Sequence, residues 1–549
     1  VMVMTMAPAA FAAGGGAQFQ NGPYLLAPKT NSMVVVWEST EKVSATIAYG
    51  TDESKLCDPI KVEIDADAPD FKGSKMNLFH YKLDNLTPGT RYYYEVKLEG
   101  GATCKASFKT LSEKPDQIRL ITLSDSHIFA TRAELDQAIK EFDPDLLLHC
   151  GDMVEGTGAQ AEQFSFWFQG KVENDYIHSY PVVYSSGNHD QGGVYFNTYV
   201  YSIQDEEYGA EVEGDSSFNY AGLHIITMNS NPWGLFQMNS EATGQKADAA
   251  TIKTIDNAMN WLKKDLATDA AKNADFRLIF MHHPVSDAYT KRYIPAVIEP
   301  GKVDLLLSGH THSYARAVSS DPAVGAGTIY LTHQDARTYN KKGDFFYITS
   351  TPGSGVLDVK NYGATAAGQD SKVANETLVA KDKQQLSWSD ISITPSEVLY
   401  NGEVTVTAKV TNNGKGLAAA VIPVVDNGTT RYLYKFKDGI VTLDPGKSAT
   451  LTGTLRMETL GTHTLKLADK TVSVNVKYRP ATFDYTNIRT QQGNGKTSDM
   501  NSNILHIKAD VVNIGNDAGT GTAEFKVNGV TVGTRQYTLK SGESQTAEF

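Results

Sequence analysis

Gly187-Asn188-His189-Asp190 (GNHD) follows the apolar run Pro181 to Tyr184, and the same pattern, an apolar run closed by a polar cluster, recurs on both sides of it. Upstream, Ile118 to Leu123 precedes Asp125-Ser126-His127, and Leu146 to Cys150 precedes Gly151-Asp152. Downstream, Phe276 to Met281 precedes His282-His283-Pro284, and Val303 to Leu307 precedes Gly309-His310-Thr311-His312. Leu223 to Met228 and Thr328 to Thr332 are further runs of this kind. Each is about strand length and lacks in/out alternation, as do strands buried on both faces in a sheet packed between helices. Arg132 to Phe142, Ala159 to Phe168 and Ile252 to Leu266 carry apolar residues at helical spacing, with Ile252, Ile255, Met259, Leu262 and Leu266 forming one stripe. In an open α/β sheet the carboxyl ends of the strands line one edge, where ligands bind, so all five polar clusters can converge.

Their side chains are carboxylates, an amide and imidazoles, a donor set suited to Zn, Mn or Fe(II) rather than to a soft thiolate site. A two-metal centre is the expected product. The bulk charge is consistent with this: the chain has 50 Lys and Arg against 63 Asp and Glu, a formal −13. Such a surface opposes nucleic-acid or anionic-membrane binding, so an anionic ligand needs its own concentrated positive charge, such as metal ions.

The 549 residues exceed what a single core holds, and 41% apolar with 21% charged residues is a globular composition, so several domains are expected. Residues 1–12 read as a partial signal peptide with an Ala10-Phe11-Ala12 cleavage site, implying a secreted protein, and no transmembrane segment is expected. Residues 18–112 alternate β-rich runs with turns, a small β-sandwich. Residues 117–355 form the α/β domain, and 356–385, rich in Gly, Ala, Lys and Asp, read as a linker. Beyond it Val404 to Gly414 repeats as Leu505 to Gly515, implying two immunoglobulin-like sandwiches at 386–478 and 483–549. The second reads as incomplete, with the natural protein continuing into wall- or surface-attaching modules. Three cysteines make no disulfide framework; pairing of Cys57 with Cys104 is open, and Cys150 reads as a buried thiol.

The order D-x-H, G-D, G-N-H-D, H, G-H-x-H resembles the signature of calcineurin-like metallophosphoesterases, over about 190 residues from Asp125 to His312. Gly22-Pro23-Tyr24-Leu25, Met33 to Trp37 and Tyr49-Gly50 resemble the N-terminal domain of purple acid phosphatases, and Leu86 to Tyr92 resembles the tyrosine-corner turn of a fibronectin type III domain. The resemblance implies a multidomain chain: a fibronectin type III-like β-sandwich, a central αββα metallophosphoesterase domain, and C-terminal immunoglobulin-like sandwiches. It implies two divalent metal ions, Asp125, His127, Asp152 and His312 holding one and Asp152, Asn188, His282 and His310 the other, with Asp152 bridging. His189 then donates a proton or hydrogen bond to the ester, and Asp190 orients it. His283 is a weaker competitor for the place of His282.

Purple acid phosphatases carry Gly where His127 stands and a ligand Tyr where Glu155 stands. Neutral His127 in place of a phenolate matches a divalent ion in place of Fe(III), so a colourless Mn, Zn or Fe(II) site is expected. Glu155 itself reads as a solvated loop residue, His149 as a core or supporting histidine, and His178, His224 and His333 as structural. Asn229 is a candidate substrate contact; Tyr289, Lys291 and Arg292 read as a charged surface loop. The expected activity is hydrolysis of a small phosphate ester by a metal-activated hydroxide. A phosphodiesterase or nucleotidase, and a non-catalytic surface scaffold, are the competing readings.

Overall fold

The computed structural model describes residues 10–12, 15–66, 70–71, 74–127, 139, 141–156, 161–170, 175–191, 194–234, 248–285, 290–298, 303–318, 327–334, 345–362, 373–381, 385–433, 441–492 and 505–549. The chain forms two units, residues 1–385 with 413–419, and residues 386–412 with 420–549.

In the first unit the continuous apolar runs become strands of two six-stranded sheets, all of them inner except Val182–Tyr184, which lies at an edge. One sheet runs in the order Val182–Tyr184, Leu146–His149, Ile118–Leu123, Phe345–Ser350, Val356–Tyr362 and Val373–Ala380. The other runs Ser216–Tyr220, Leu223–Thr227, Phe276–Phe280, Leu305–Ser308, Ile329–Thr332 and Ala315–Val318. The pairs that carry the polar clusters are parallel, which brings their carboxyl ends to the same side. Leu120, Leu148 and Ile348 of the first sheet pack with Ile225, Leu278 and Leu307 of the second in one buried layer, so the sheets lie face to face. On the outer face of the second sheet, Ile226, Ile279 and Leu306 meet Ile255, Met259 and Leu262 of the helix Ala249–Asp265 and Ile294 of the helix Thr290–Ile298. Asp248 caps the longer helix by accepting the Thr251 N–H at 2.7 Å. The outer face of the first sheet packs on Phe164 and Phe168 of the helix Ala161–Phe168. The layering is helix, sheet, sheet, helix.

The sequence reading departs from this in two places. Residues 356–385 are not a linker: Val356–Tyr362 and Val373–Ala380 extend the first sheet, and Leu357 and Val359 are buried between the sheets. Their alternating pattern buries only one face, so polar residues interrupt it and mask the strands. Ile252, placed in the apolar stripe, is 47% exposed, because the helix turns it away from the sheet. The helix expected over Arg132 to Phe142 lies mostly outside the described residues; Ile139, Glu141 and Phe142 are helical.

The N-terminal β-sandwich pairs a five-stranded sheet with a three-stranded one around Val35, Trp37, Phe79, Val96 and Phe108. Tyr92 makes the expected tie to upstream backbone, its hydroxyl accepting the Thr87 N–H at 2.9 Å. Ala10–Ala12, read as the end of a signal, pairs antiparallel with Thr103, Cys104 and Lys105 at the edge of the larger sheet. Cys57 is exposed and Cys104 buried, and they form no disulfide. The sandwich shares a core with the α/β domain: the Tyr24 ring lies 4.3 Å from that of Phe168, and its hydroxyl donates to Tyr199 O at 2.8 Å. Buried Glu38 accepts from Asn21 Nδ2 at 2.6 Å and from the Tyr199 hydroxyl at 2.9 Å.

In the second unit the two repeat segments occupy equivalent places. Glu403–Asn412 runs between Leu386–Thr394 and Ser448–Arg456, as Leu505–Asn513 runs between Phe483–Gln492 and Ser544–Glu548. The first of these sheets is accompanied by a five-stranded sheet and the second by a two-stranded one. Among the described residues no helix is long and apolar enough to cross a membrane.

Val359→Asp tests the reassigned strands. A charge buried between the sheets should destabilise the first unit by more than about 3 kcal/mol in urea unfolding, whereas a linker would tolerate it within about 0.5 kcal/mol.

Candidate metal centre

Three of the five polar clusters leave their strands through strained turns. Asp125, His127, Asp152, His310 and His312 all adopt left-handed backbone, with φ of 52°, 46°, 55°, 72° and 51°. Each costs such a residue on the order of 1 kcal/mol or more, so the surrounding bonds must hold it. The Asp125 N–H donates to Gly151 O at 2.9 Å and the His127 N–H to Asp152 O at 3.0 Å, tying two loops together. The His310 N–H donates to Asp125 Oδ2 at 3.0 Å and the Gly309 N–H to His282 O at 2.9 Å. Two motif glycines are required by proximity. A Cβ on Gly309 would stand 1.9 Å from Ser124 Oγ and 2.2 Å from Asp125 Oδ2, and one on Gly187 would stand 2.0 Å from Asp152 Oδ1.

These turns bring the metal candidates into two groups that share one residue. Asp125, His127, Asp152 and His312 form one, Asp152, His282 and His310 the other, each with donor atoms within 4.8 Å of one another. Asn188 joins the second group: its Oδ1 lies 3.0 Å from His282 Nε2 and 2.9 Å from His310 Nδ1. His282 Nε2 is also 3.2 Å from Asp152 Oδ2, and His312 Nε2 is 3.1 Å from Asp125 Oδ1. All seven sequence-derived ligand candidates are therefore together.

The chemistry of the donors fits a cation. His282 Nδ1 faces the Cys150 carbonyl oxygen at 2.9 Å, so Nδ1 carries hydrogen and Nε2 turns toward the oxygens of Asp152 and Asn188. Asp125 and Asp152 are buried. Burial alone would raise Asp125, but the hydrogen bond from His312 and the charges of His282 and His312 hold it well below the ordinary carboxylate range. Asp152 is likewise lowered against burial, by His282. Burial opposes charge on His282, yet Asp152 and Asp125 outweigh it and raise the imidazole to about 9. The pocket draws positive charge to convergent oxygen and nitrogen lone pairs, the setting a divalent ion requires.

His189 and Asp190 take different places. His189 Nδ1 lies 2.7 Å from Glu155 O and 3.0 Å from Gly156 O, and its Nε2 is 4.0 Å from Asp152 Oδ2 at the rim of both groups. Asp190 does not touch that ring. Its Oδ2 accepts the N–H groups of Asp152 and Gly187, both at 2.8 Å, and its Oδ1 accepts that of Met153 at 2.8 Å and of Val154 at 3.3 Å. The expectation that Asp190 orients His189 directly is corrected: adjacent residues in a turn project apart, and Asp190 anchors the loop whose carbonyls hold His189.

The supporting histidines are resolved as well. His149 Nδ1 accepts the Gly151 N–H at 3.2 Å and its Nε2 meets Ser126 Oγ at 2.9 Å, bracing two loops from beneath; burial lowers it to about 3 and keeps it neutral. His283 turns to Ser230 Oγ at 2.8 Å and leaves the ligand place to His282. Asn229, the candidate substrate contact, accepts at Oδ1 from Asn231 Nδ2 at 2.9 Å and donates its N–H to Asp215 at 2.7 Å. His333 stacks on Phe346, His224 bonds Asp265 and His178 bonds Gly170 O, all structural. Tyr289 lies outside the described residues, as do the side chains of Lys291 and Arg292. Two anchors were missed: Gln163, which accepts the Gly156 N–H at 2.7 Å, and the Glu155 carboxylate, 3.1 Å from His127 Nδ1. No motif marks Gln163, whereas Glu155 stands at a position the family comparison had singled out.

Residues 118–314 match the family model of calcineurin-like phosphoesterase, and residues 23–110 match that of the purple acid phosphatase N-terminal domain. No curated protein matches the chain. Among solved structures, PhoD is 13% identical, with 65% of this chain and 90% of that one covered and a TM-score of 0.46. Vps29 of Chaetomium thermophilum is 9% identical, covering 48% of this chain and 95% of that one, with a TM-score of 0.24. A conserved protein of Streptococcus pneumoniae TIGR4, described as a predicted phosphoesterase, is 11% identical over 48% and 98%, with a TM-score of 0.23.

Gly309→Ala probes the packing of this centre. The added methyl must displace Ser124 or Asp125, so metal content of the purified protein should fall at least tenfold while the far-ultraviolet circular dichroism stays that of the wild type. Full metal content would show that the turn has room the structure does not.

Proposed function

We propose that this chain is a hydrolase of small phosphate esters that works with two divalent ions, Mn, Zn or Fe(II), bound at the two donor groups. The observation that carries this reading is the sharing of buried Asp152 between them. Asp125, His127, Asp152 and His312 would hold one ion, and Asp152, Asn188, His282 and His310 the other. Ions so placed supply Lewis-acid charge for the phosphate oxygens and lower the pKa of water to make a nucleophile near neutral pH. The remaining tasks belong to the protein. The loops fix the donors through strained backbone and backbone bonds, so little reorganisation is needed when an anion arrives. The concentrated charge answers how a protein of formal charge −13 attracts a phosphate ester.

His189 is the proton donor in this reading. Carbonyl oxygens only accept, so the two carbonyls at Nδ1 keep hydrogen on that nitrogen, and Nε2 is the atom that gains or loses a proton. Its side chain is 35% exposed, open to an incoming ester. Since Glu155 stands in place of the purple acid phosphatases' ligand tyrosine, the protein should be colourless.

Two substitutions divide the roles. Asp152→Ala should keep the fold and lose detectable phosphoesterase activity. His189→Ala should keep its metal but lose roughly 10²- to 10⁴-fold in kcat on alkyl phosphates, and about tenfold less on nitrophenyl phosphates, whose leaving groups need little protonation. Equal losses on both substrates would assign His189 to phosphate binding, and loss of metal would make it a ligand.

A further inference from the structure

Glu155 faces two histidines at once. Its carbonyl oxygen lies 2.7 Å from Nδ1 of His189, and its carboxylate Oε2 lies 3.1 Å from Nδ1 of His127. The segment that carries it is held from behind. Asp190 takes the N–H groups of Asp152, Met153 and Val154, and Gln163 takes that of Gly156. The carbonyls of Val154, Glu155 and Gly156 therefore turn toward the two rings, with Val154 O 3.1 Å from His127 Nδ1. His127 Nδ1 thus meets two acceptors, the Val154 carbonyl and the Glu155 carboxylate, which makes it an N–H donor and leaves Nε2 as the lone pair, 3.5 Å from His312 Nε2. The Glu155 side chain is 44% exposed, so its carboxylate reaches the buried His127 ring from the solvent side without being stranded in the core.

Resting on the two-metal reading above, we propose that Glu155 is a positioning residue for His127. Its carboxylate fixes the tautomer and tilt of the ring by accepting from Nδ1, and so tunes the first donor group without entering it. A carboxylate behind a ligating histidine raises the donor strength of the far nitrogen, and removing such a partner typically weakens metal affinity by about 10- to 100-fold. The backbone at His127 is strained, φ 46°, so the contacts that hold this residue bear directly on where its ring stands.

Calorimetric titration of manganese(II) into the metal-free full-length protein tests this, with Glu155→Ala and Glu155→Gln beside the wild type. The wild type should take two equivalents; none would overturn the two-metal reading and with it the role of Glu155. Glu155→Ala should weaken one equivalent by about 10- to 100-fold and leave the other within a few-fold. Glu155→Gln keeps an acceptor oxygen in place and should recover most of the loss. Wild-type affinities in Glu155→Ala would leave His127 to the Val154 carbonyl and overturn the proposal. A loss in Glu155→Gln as large as in Glu155→Ala, or equal losses at both equivalents, would also overturn it.

Discussion

Asp152 is 1% exposed, yet both of its oxygens are engaged. Oδ1 accepts the His189 N–H at 2.8 Å while Oδ2 sits 3.2 Å from His282 Nε2. A second buried carboxylate, Asp125, belongs to the same donor group. Two carboxylates without Lys or Arg counter-charge in their group are tolerable only with cationic partners, since desolvating unpaired charge is costly. In the protein alone those partners are the raised imidazole of His282 and, beside Asp125, that of His312. The need for positive charge accounts for the crowd of histidines here and for the glycines that let the loops approach.

The fold supplies the rigidity that this arrangement needs. Parallel strands deliver the loops to one edge, and a single carboxylate, Asp190, gathers four N–H groups from the Asp152 loop and from Gly187. Burial, and then the charge of Asp152, push Asp190 up to about 7, while the N–H groups of Gly187 and Met153 pull it down. The N-terminal sandwich takes part as well. A π-helical turn, Asn197–Tyr201, sends the Tyr199 hydroxyl to Glu38 of the sandwich and the Tyr201 hydroxyl to the Ser186 N–H, one residue before Gly187.

Much of this was legible in the residues. Runs such as Leu146 to Cys150 are apolar throughout because both faces are covered, and a buried strand of that kind is followed by a visible polar turn. The ligand candidates could be read because a metal site demands particular atoms at strand ends. Val356–Tyr362 and Val373–Ala380 were hidden by one-sided burial within a stretch of linker-like composition. Asp190 was hidden differently. Its identity was plain in GNHD, but the direction of its side chain depends on turn geometry, and it points at a backbone that no motif describes. Glu155 drew notice only by contrast with a tyrosine, and its exposure concealed its contact with His127.

The central claim is that Asp152 joins two ions into one centre, and electron paramagnetic resonance of the manganese(II)-loaded protein tests it most directly. Two manganese ions held by donor groups that share Asp152 would couple magnetically, so a broad multiline spectrum with compressed hyperfine spacing is predicted. A simple six-line spectrum at full loading, the signature of isolated ions, would contradict the account.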